Sequence, residues 1–453
     1  MSRSPVILLE FNELTPSLID RFVEQGELPN FKRFKEQSLA FTTDAEDIGS
    51  LEPWIQWVTV HTGLSAEEHQ IFRLDEGHKL KAPRVWDLLS PHGYRSWVCG
   101  SMNVRYEPDT LATVLPDPWC RQVEPRPAEL RPYFRFVQTQ VQEHTNVNNP
   151  LTAADYLQFA GWMMRKGLSR SSVQAILAQL TAERLSDVRW KRVTLLDRLQ
   201  YDVFEHYYRK LCPAFSTLFL NSTAHYQHAY WDTLEPEKYP DRKPNPKRAR
   251  YQHAILYGYQ KMDALLGHLF NLAGDDATLI LCTALSQEAS QHDRVRYRPF
   301  DFERLLRFAG VSKDLQVTPV MADQFYVDFS SPQEMEQVGE KLSQIELEGK
   351  KLVRLRREGD RLFCTCKVKT EVPEGALVRC GESAVPFKEL FYKIPTSKIA
   401  DHHPDGVLWI RLPSRKREAT TERVPLRSVA PTILRLMGVN PPGHMKAHAL
   451  VAS

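Results

Sequence analysis

The stretch PVILLEFNELTPSLIDRFVEQG, residues 5–26, decides the fold. Pro5 to Leu9 form an unbroken apolar run containing Val6 and Ile7, the pattern of a strand buried on both faces of a parallel sheet. Polar Asn12 and Glu13 follow Glu10 and Phe11, so a functional loop is expected at the strand's carboxyl end. Thr15 then offers an N-cap and Pro16 suits the first helical position. The helix reads on to Gly26, a residue suited to a helix stop.

The same alternation recurs outward from this unit. A helix is expected over Val58 to Leu64. VWDLLSPHGYRSWVCG (85–100) reads as helix, glycine stop and strand. AFSTLFLN (214–221) reads as a strand, YQHAILYGYQKMDALLGHLFNLAG (251–274) as a long amphipathic helix, and ATLILCTAL (277–285) as a buried strand. Strands alternating with helices imply an α/β fold, a mostly parallel central sheet with helices on both faces. Residues 125–212 have helical patterning near Ala153–Arg165, Ser169–Arg184 and Trp190–Lys210, and read as an inserted helical cap. KLVRLRREGDRLFCTCKV, within residues 349–395, reads as an antiparallel hairpin turning at EGDR. The expected division is an α/β core of residues 1–124, 213–348 and 396–453, the cap 125–212, and a small β region 349–395.

Composition narrows the class. The 453 residues are 42% hydrophobic and 25% charged, with net charge +3. That charge is too small to imply a nucleic-acid partner. The first apolar run is about five residues, too short for a signal core or a membrane span. Cys364 and Cys366 lie two apart on a strand-like run, a spacing that matches no zinc pattern. The seven cysteines are expected to be thiols in a reducing compartment, and the chain is expected to be cytoplasmic.

Several segments share one order with a known family. They are NELTPSLIDRF (12–22), LPNFKRF (28–34), EPWIQWVTVHTGLSAEEHQIF (52–72), AHYQHAYW (224–231), LSQE (285–288), HHPDGVLWI (402–410) and VAPTILRLMGVNPP (429–442). Together they resemble the phosphodiesterase, phosphoglycerate-mutase and sulfatase branch of the alkaline-phosphatase superfamily. That branch shows Asp-Gly after the first strand, Thr-Gly and His-Gly-Ile in the nucleophile segment, Asp-x-x-Gln-His-x-x-Trp, Ser-Asp-His-Gly, and a late His-x-x-x-Gly. The resemblance implies two divalent cations and a Thr or Ser nucleophile beside them.

Carried over position by position, the resemblance puts the early metal-binding Asp on Asn12 and the nucleophile on Glu52 or Pro53. The Asp-His pair falls on Gln287 and Glu288. The middle Asp falls on Ala224 when Gln227, His228 and Trp231 set the register; the other register pairs Asn221 with His225. His228 (or His225) and His403 remain as ligands. Amides and alanine in place of acids remove the charge that two hard cations need. No cofactor is therefore expected, with a single zinc on His228, His403 and Glu52 as the alternative.

What remains is a polar cleft of another kind. Asn12, Gln56, Asn221 and Gln287 suit neutral hydroxyl or amide groups, and Glu10, Glu52 and Glu288 are acids or bases. Glu10 and Asn12 share one side of the strand; His225 and His228 share one face of a helical turn. Trp54, Trp57, Tyr226, Tyr230 and Trp231 could stack on a ligand, although buried aromatics more often serve the core. Glu10 could equally pair with a cationic side chain. The expected function is hydrolysis or transfer of a phosphorylated or sugar-containing group. Glu52 would be nucleophile or base, His228 or His403 acid or charge stabiliser, with Glu288 as a further catalytic candidate. Two alternatives stand beside it. One is an ordinary metallophosphodiesterase drawing ligands from Asp44, Glu46, Asp47, Asp232, Asp293, Asp401 and Asp405. The other is a ligand-binding protein without catalysis. The expected partner is a small molecule or saccharide, with a homodimer left open.

Overall fold

The computed structural model describes all residues except 1–3, 47–50, 144–150, 241–247, 291–294, 313–314, 321–322, 395–398, 414–418 and 452–453. Asp47, Asp293 and most of the basic loop 239–250 therefore lie outside the described residues.

The chain divides into two units. The first contains residues 1–141, 151–289 and 400–453. Its strands are β1 (Val6–Phe11), β2 (Leu39–Asp44), β3 (Ser96–Cys99), β4 (Ala112–Leu115), β5 (Phe215–Leu220), β6 (Thr278–Cys282), β7 (Ser286–Ala289), β8 (Ala400–His403), β9 (Asp405–Arg411) and β10 (Ala419–Pro425). Eight of them form one sheet in the order β10-β2-β9-β6-β1-β5-β3-β4. The ladders are parallel except those of β9, which runs antiparallel between β2 and β6. β7 and β8 form a separate antiparallel ribbon. The mostly parallel α/β sheet read from the sequence is the observed architecture.

β1 lies between β5 and β6 and is wholly buried. Its residues alternate between two cores, as the period of a strand requires. Val6 and Leu8 join a cluster with Trp57, Val60 and Trp86. On the other side Phe11 packs edge-on to Phe31, which packs on Trp409. Each large apolar side chain buried this way contributes about 1.5–3 kcal/mol before conformational entropy is charged against it.

The first helix, α1, runs Pro16–Glu24, with Gly26 beyond it at φ 79°. Thr15 precedes it but does not cap it through its side chain. Its hydroxyl instead donates to the Gln287 carbonyl at 2.8 Å, tying the loop after β1 to β7. Helix α2 is Pro29–Glu36. Helix α3 is Pro53–Thr62, five residues earlier at its start than the apolar pattern indicated, because Pro53 is tolerated in a first turn that needs no donor. It ends at Gly63 with φ 66°. A Cβ there would lie 3.1 Å from Met445 and 3.3 Å from the Arg427 carbonyl, so both conformation and space call for glycine. Gly406 in β9 meets the same limit, since a Cβ would lie 2.6 Å from Thr43 Oγ1 and 2.8 Å from Thr283 Oγ1.

The helical stretch belongs to this first unit, as helices Ala153–Arg165, Arg170–Leu185 and Val193–Leu211.

The second unit, residues 142–150 and 290–399, has its own core around Phe325, Leu342, Leu362 and Phe391. The expected hairpin is present, with Val353–Glu358 antiparallel to Arg361–Cys366. Residues 290–348, assigned to the core from the sequence, fall in this unit. The reason is pairing: Gln324–Asp328 adds to the hairpin and Tyr297–Pro299 pairs with Phe391–Lys393. Cys364 and Cys366 are both buried, and all seven cysteines are free thiols. Among the described residues no helix is long and apolar enough to cross a membrane.

Candidate functional site

The site grows from the carboxyl end of β1, between the ends of β5 and β6, where open α/β sheets place their ligands. Glu13, one residue beyond Asn12, has left-handed backbone at φ 60°. That conformation costs a non-glycine residue about 1 kcal/mol. The surroundings fix it on both sides. Its N–H donates to the Thr283 carbonyl at 3.3 Å. Its carbonyl accepts from Gln227 Nε2 at 2.8 Å. Tyr259 then donates to Gln227 Oε1 at 2.5 Å and accepts from the Thr15 N–H at 2.9 Å.

This turn carries the Glu13 carboxylate towards two histidines. His228 comes from the helix Ser222–Leu234 and His402 from β8. His228 Nε2 is 3.0 Å and His402 Nε2 is 3.4 Å from Glu13 Oε2. The rings meet edge to face with centroids 5.3 Å apart. The other nitrogens face backbone carbonyls: His228 Nδ1 lies 3.2 Å from Ala400 O, and His402 Nδ1 lies 2.6 Å from Leu51 O. A carbonyl can only accept, so each Nδ1 carries a proton. Both Nε2 atoms are then left to face the carboxylate.

Burial alone would raise the pKa of Glu13, but the imidazoles of His402 and then His228, acting as positive charges and N–H donors, outweigh it and hold the carboxyl well below its ordinary range. The three ligand atoms lie within 4.8 Å of one another. A tetrahedral zinc with bonds of about 2.0–2.1 Å keeps its ligand atoms about 3.3 Å apart. The 3.0 and 3.4 Å separations match that spacing, so a Glu-His-His set fits one divalent cation with a coordination position left open.

Two amides complete the surroundings of Glu13. Asn12 Nδ2 lies 2.8 Å from Glu13 Oε1 and 2.8 Å from Asn221 Oδ1. Gln287 Nε2 donates to Glu13 Oε2 and, at 3.1 Å, to the Ala224 carbonyl. Glu52, the residue before α3, stands at the rim with its side chain 41% exposed. Its Oε2 lies 3.5 Å from His402 Nδ1 and makes no hydrogen bond among the described residues.

Asn12, Asn221, Gln287, Glu52 and His228 thus lie around one centre. Other candidates are elsewhere. His403 is not with them: it is one residue past His402, on the opposite face of β8, and its Nδ1 accepts from the Asp405 N–H at 3.2 Å. His225 and Glu288 are exposed. Glu10 is sealed with His61, Nε2 to Oε1 2.7 Å, at 2% and 0% side-chain exposure. Trp57 is buried and donates to Asn12 Oδ1 at 2.8 Å, while Trp54, half-buried, donates to the Phe72 carbonyl at 3.2 Å. Gln56, Tyr226 and Trp231 are buried in α3 and the helix Ser222–Leu234.

The sequence reading missed Glu13 and His402. Both had a signal. Counting His-x-x-x-Gly back from Gly406 lands on His402, not His403. Glu13 occupies the position after the strand-end acid where the branch has glycine, a position that requires positive φ.

A family model described as type I phosphodiesterase/nucleotide pyrophosphatase matches residues 6–374. The chain belongs to this family. It lies within the alkaline-phosphatase superfamily, whose type I phosphodiesterase members usually bind divalent metals such as zinc. No curated protein matches the chain. Among solved structures, murine ectonucleotide pyrophosphatase/phosphodiesterase 5 is similar at 10% identity, TM-score 0.44, over 97% of this chain and 96% of that one. The human protein of the same name has 10% identity and TM-score 0.43 over 99% and 96%. Phosphonoacetate hydrolase from Sinorhizobium meliloti 1021, in complex with phosphonoformate, has 12% identity and TM-score 0.40 over 95% and 94%.

Proposed function

We propose that this type I phosphodiesterase family member hydrolyses a phosphodiester or phosphoanhydride at a centre built for one divalent cation. Glu13, His228 and His402 would hold the ion. The supporting observation is the convergence of their ligand atoms, at 3.0 and 3.4 Å, with both Nδ1 protons committed to backbone carbonyls. A bound cation supplies Lewis-acid polarisation of the phosphoryl group. Glu52 is the general base: its Oε2 is an acceptor without a hydrogen bond among the described residues, beside the cluster and on a partly exposed side chain. His403 and Glu288 have no part in this reading.

The test is chelation followed by reloading with zinc, manganese or magnesium, with the bound metal counted. Turnover of bis(p-nitrophenyl) phosphate and of a dinucleoside pyrophosphate is followed in parallel. The expected result is one equivalent of metal and a turnover that chelation removes and the cation restores. Two equivalents, no bound metal, or turnover indifferent to chelation would each overturn the reading.

A further inference from the structure

We infer that Asn12 and Gln287 are positioning residues that aim the Glu13 carboxylate, and that the indole of Trp57 and the carbonyl of Ala224 set their orientation. The inference rests on the one-cation reading above.

An amide's oxygen and nitrogen look alike in shape, so what fixes each end is the chemistry of its neighbours. Trp57 Nε1–H can only donate, and it lies 2.8 Å from Asn12 Oδ1. The Asn12 oxygen must therefore face the indole. Its Nδ2 then faces Glu13 Oε1 and Asn221 Oδ1, both at 2.8 Å. Gln287 is fixed by the opposite device. The Ala224 carbonyl can only accept, and it lies 3.1 Å from Gln287 Nε2. That same nitrogen reaches Glu13 Oε2. Each carboxylate oxygen thus receives one amide N–H, and neither amide can turn over without leaving a donor against a donor or an acceptor against an acceptor.

Trp57, Asn12 and Gln287 are at most 1% exposed, so water cannot replace a lost bond cheaply. Trp57 is itself braced, stacked on His61 with centroids 6.1 Å apart at 26°. One consequence concerns stoichiometry. The oxygen of Asn12 is taken by the indole and its nitrogen bears protons, so Asn12 is not a cation ligand. A second ion beside Glu13 Oε1 would meet an N–H. The amides hold the carboxylate without adding charge.

The experiment measures the zinc dissociation constant by competition with a chromophoric chelator, and the visible absorption of the cobalt(II)-loaded protein. It compares the full-length wild type with Trp57→Phe, Asn12→Asp and Gln287→Leu, with the melting of each metal-free protein recorded. Trp57→Phe and Gln287→Leu are expected to weaken zinc by about ten- to a hundredfold and to shift the cobalt spectrum, with one equivalent still bound. Asn12→Asp keeps an acceptor for the indole but, when ionised, cannot donate to Glu13, and is expected to weaken zinc over the same range. It also keeps the shape of asparagine, so it decides the matter if Trp57→Phe does not fold. Wild-type affinity and spectrum in all three variants would overturn the positioning role. Tighter binding or a second equivalent in Asn12→Asp would make position 12 a ligand position and overturn it as well. A wild type that binds no cation would instead overturn the parent reading of the site.

Discussion

Strand β1 and the turn after it present two carboxylates three residues apart, and each meets imidazole in the opposite way. Glu10 faces His61 one to one, in a setting closed to solvent. His61 offers Nε2 to that carboxylate at 2.7 Å, so the shared proton sits on Nε2. Glu13 faces the Nε2 atoms of His228 and His402, whose Nδ1 protons are given to backbone carbonyls. These two side chains retain 16% and 10% exposure. One carboxylate is closed by a single imidazole; the other gathers two imidazole Nε2 atoms, an arrangement in which a cation would take the place of the Nε2 protons. The chemical groups are the same; the second imidazole and the backbone carbonyls facing both Nδ1 atoms distinguish the candidate site from the sealed pair.

The largest effect that could break this contrast is at His61. Replacing it with alanine leaves Glu10 buried with an unmatched charge, which is expected to cost about 3–5 kcal/mol of stability. Metal stoichiometry should stay at one equivalent. Urea unfolding and metal counting on the same preparation read both quantities. A variant that melts like the wild type but has lost its metal would place the Glu10–His61 pair in the site and end the distinction.

The next effect sharpens the open side of the comparison. Glu52→Gln keeps the shape of the side chain and removes its basicity. Turnover is expected to fall by about a hundredfold, the scale of losing an acid–base group. Metal content should be unchanged, because Glu52 touches His402 Nδ1 and not the converging Nε2 atoms. Full activity would remove Glu52 from the chemistry.

How much of this was legible in the sequence follows from the kind of signal each residue left. β1, β5 and β6 were readable because strands buried on both faces need continuous apolar runs, and TLILC or FSTLFL can hardly be anything else. Asn12, Asn221, Gln287, Glu52 and His228 were legible as neighbours through motif order. Glu13 was not, because a glutamate in left-handed conformation goes against local preference and only the wiring to Thr283, Gln227 and Tyr259 reveals why it is tolerated. His402 and His403 are neighbours on a strand, and a one-residue error reverses the face. The second unit's boundary was hidden for another reason: antiparallel pairing between segments tens of residues apart leaves no local pattern.

The smallest effect concerns a third way of holding imidazole, at His69, and extends the comparison to pH. Its Nδ1 accepts from the Ile71 N–H at 3.0 Å, and its Nε2 lies 3.4 Å from Thr59 Oγ1. The ring is therefore neutral, and burial, with Arg84 adding to it, pushes its titration down from 6.5 to about 4. A histidine whose folded value is depressed binds its proton more readily when unfolded. Its contribution is constant above the unfolded value, and stability is lost as pH falls from about 6.5 towards 4. Between pH 7.5 and 5 the loss from this one group is about 2 kcal/mol. Comparing urea unfolding at the two pH values in the wild type and in His69→Asn isolates it, because other titrating groups contribute to both proteins alike. The variant should lose about 2 kcal/mol less than the wild type over that interval. An equal loss in both would mean that His69 is protonated in the folded protein, and that the hydrogen bond from Ile71 does not hold the ring neutral.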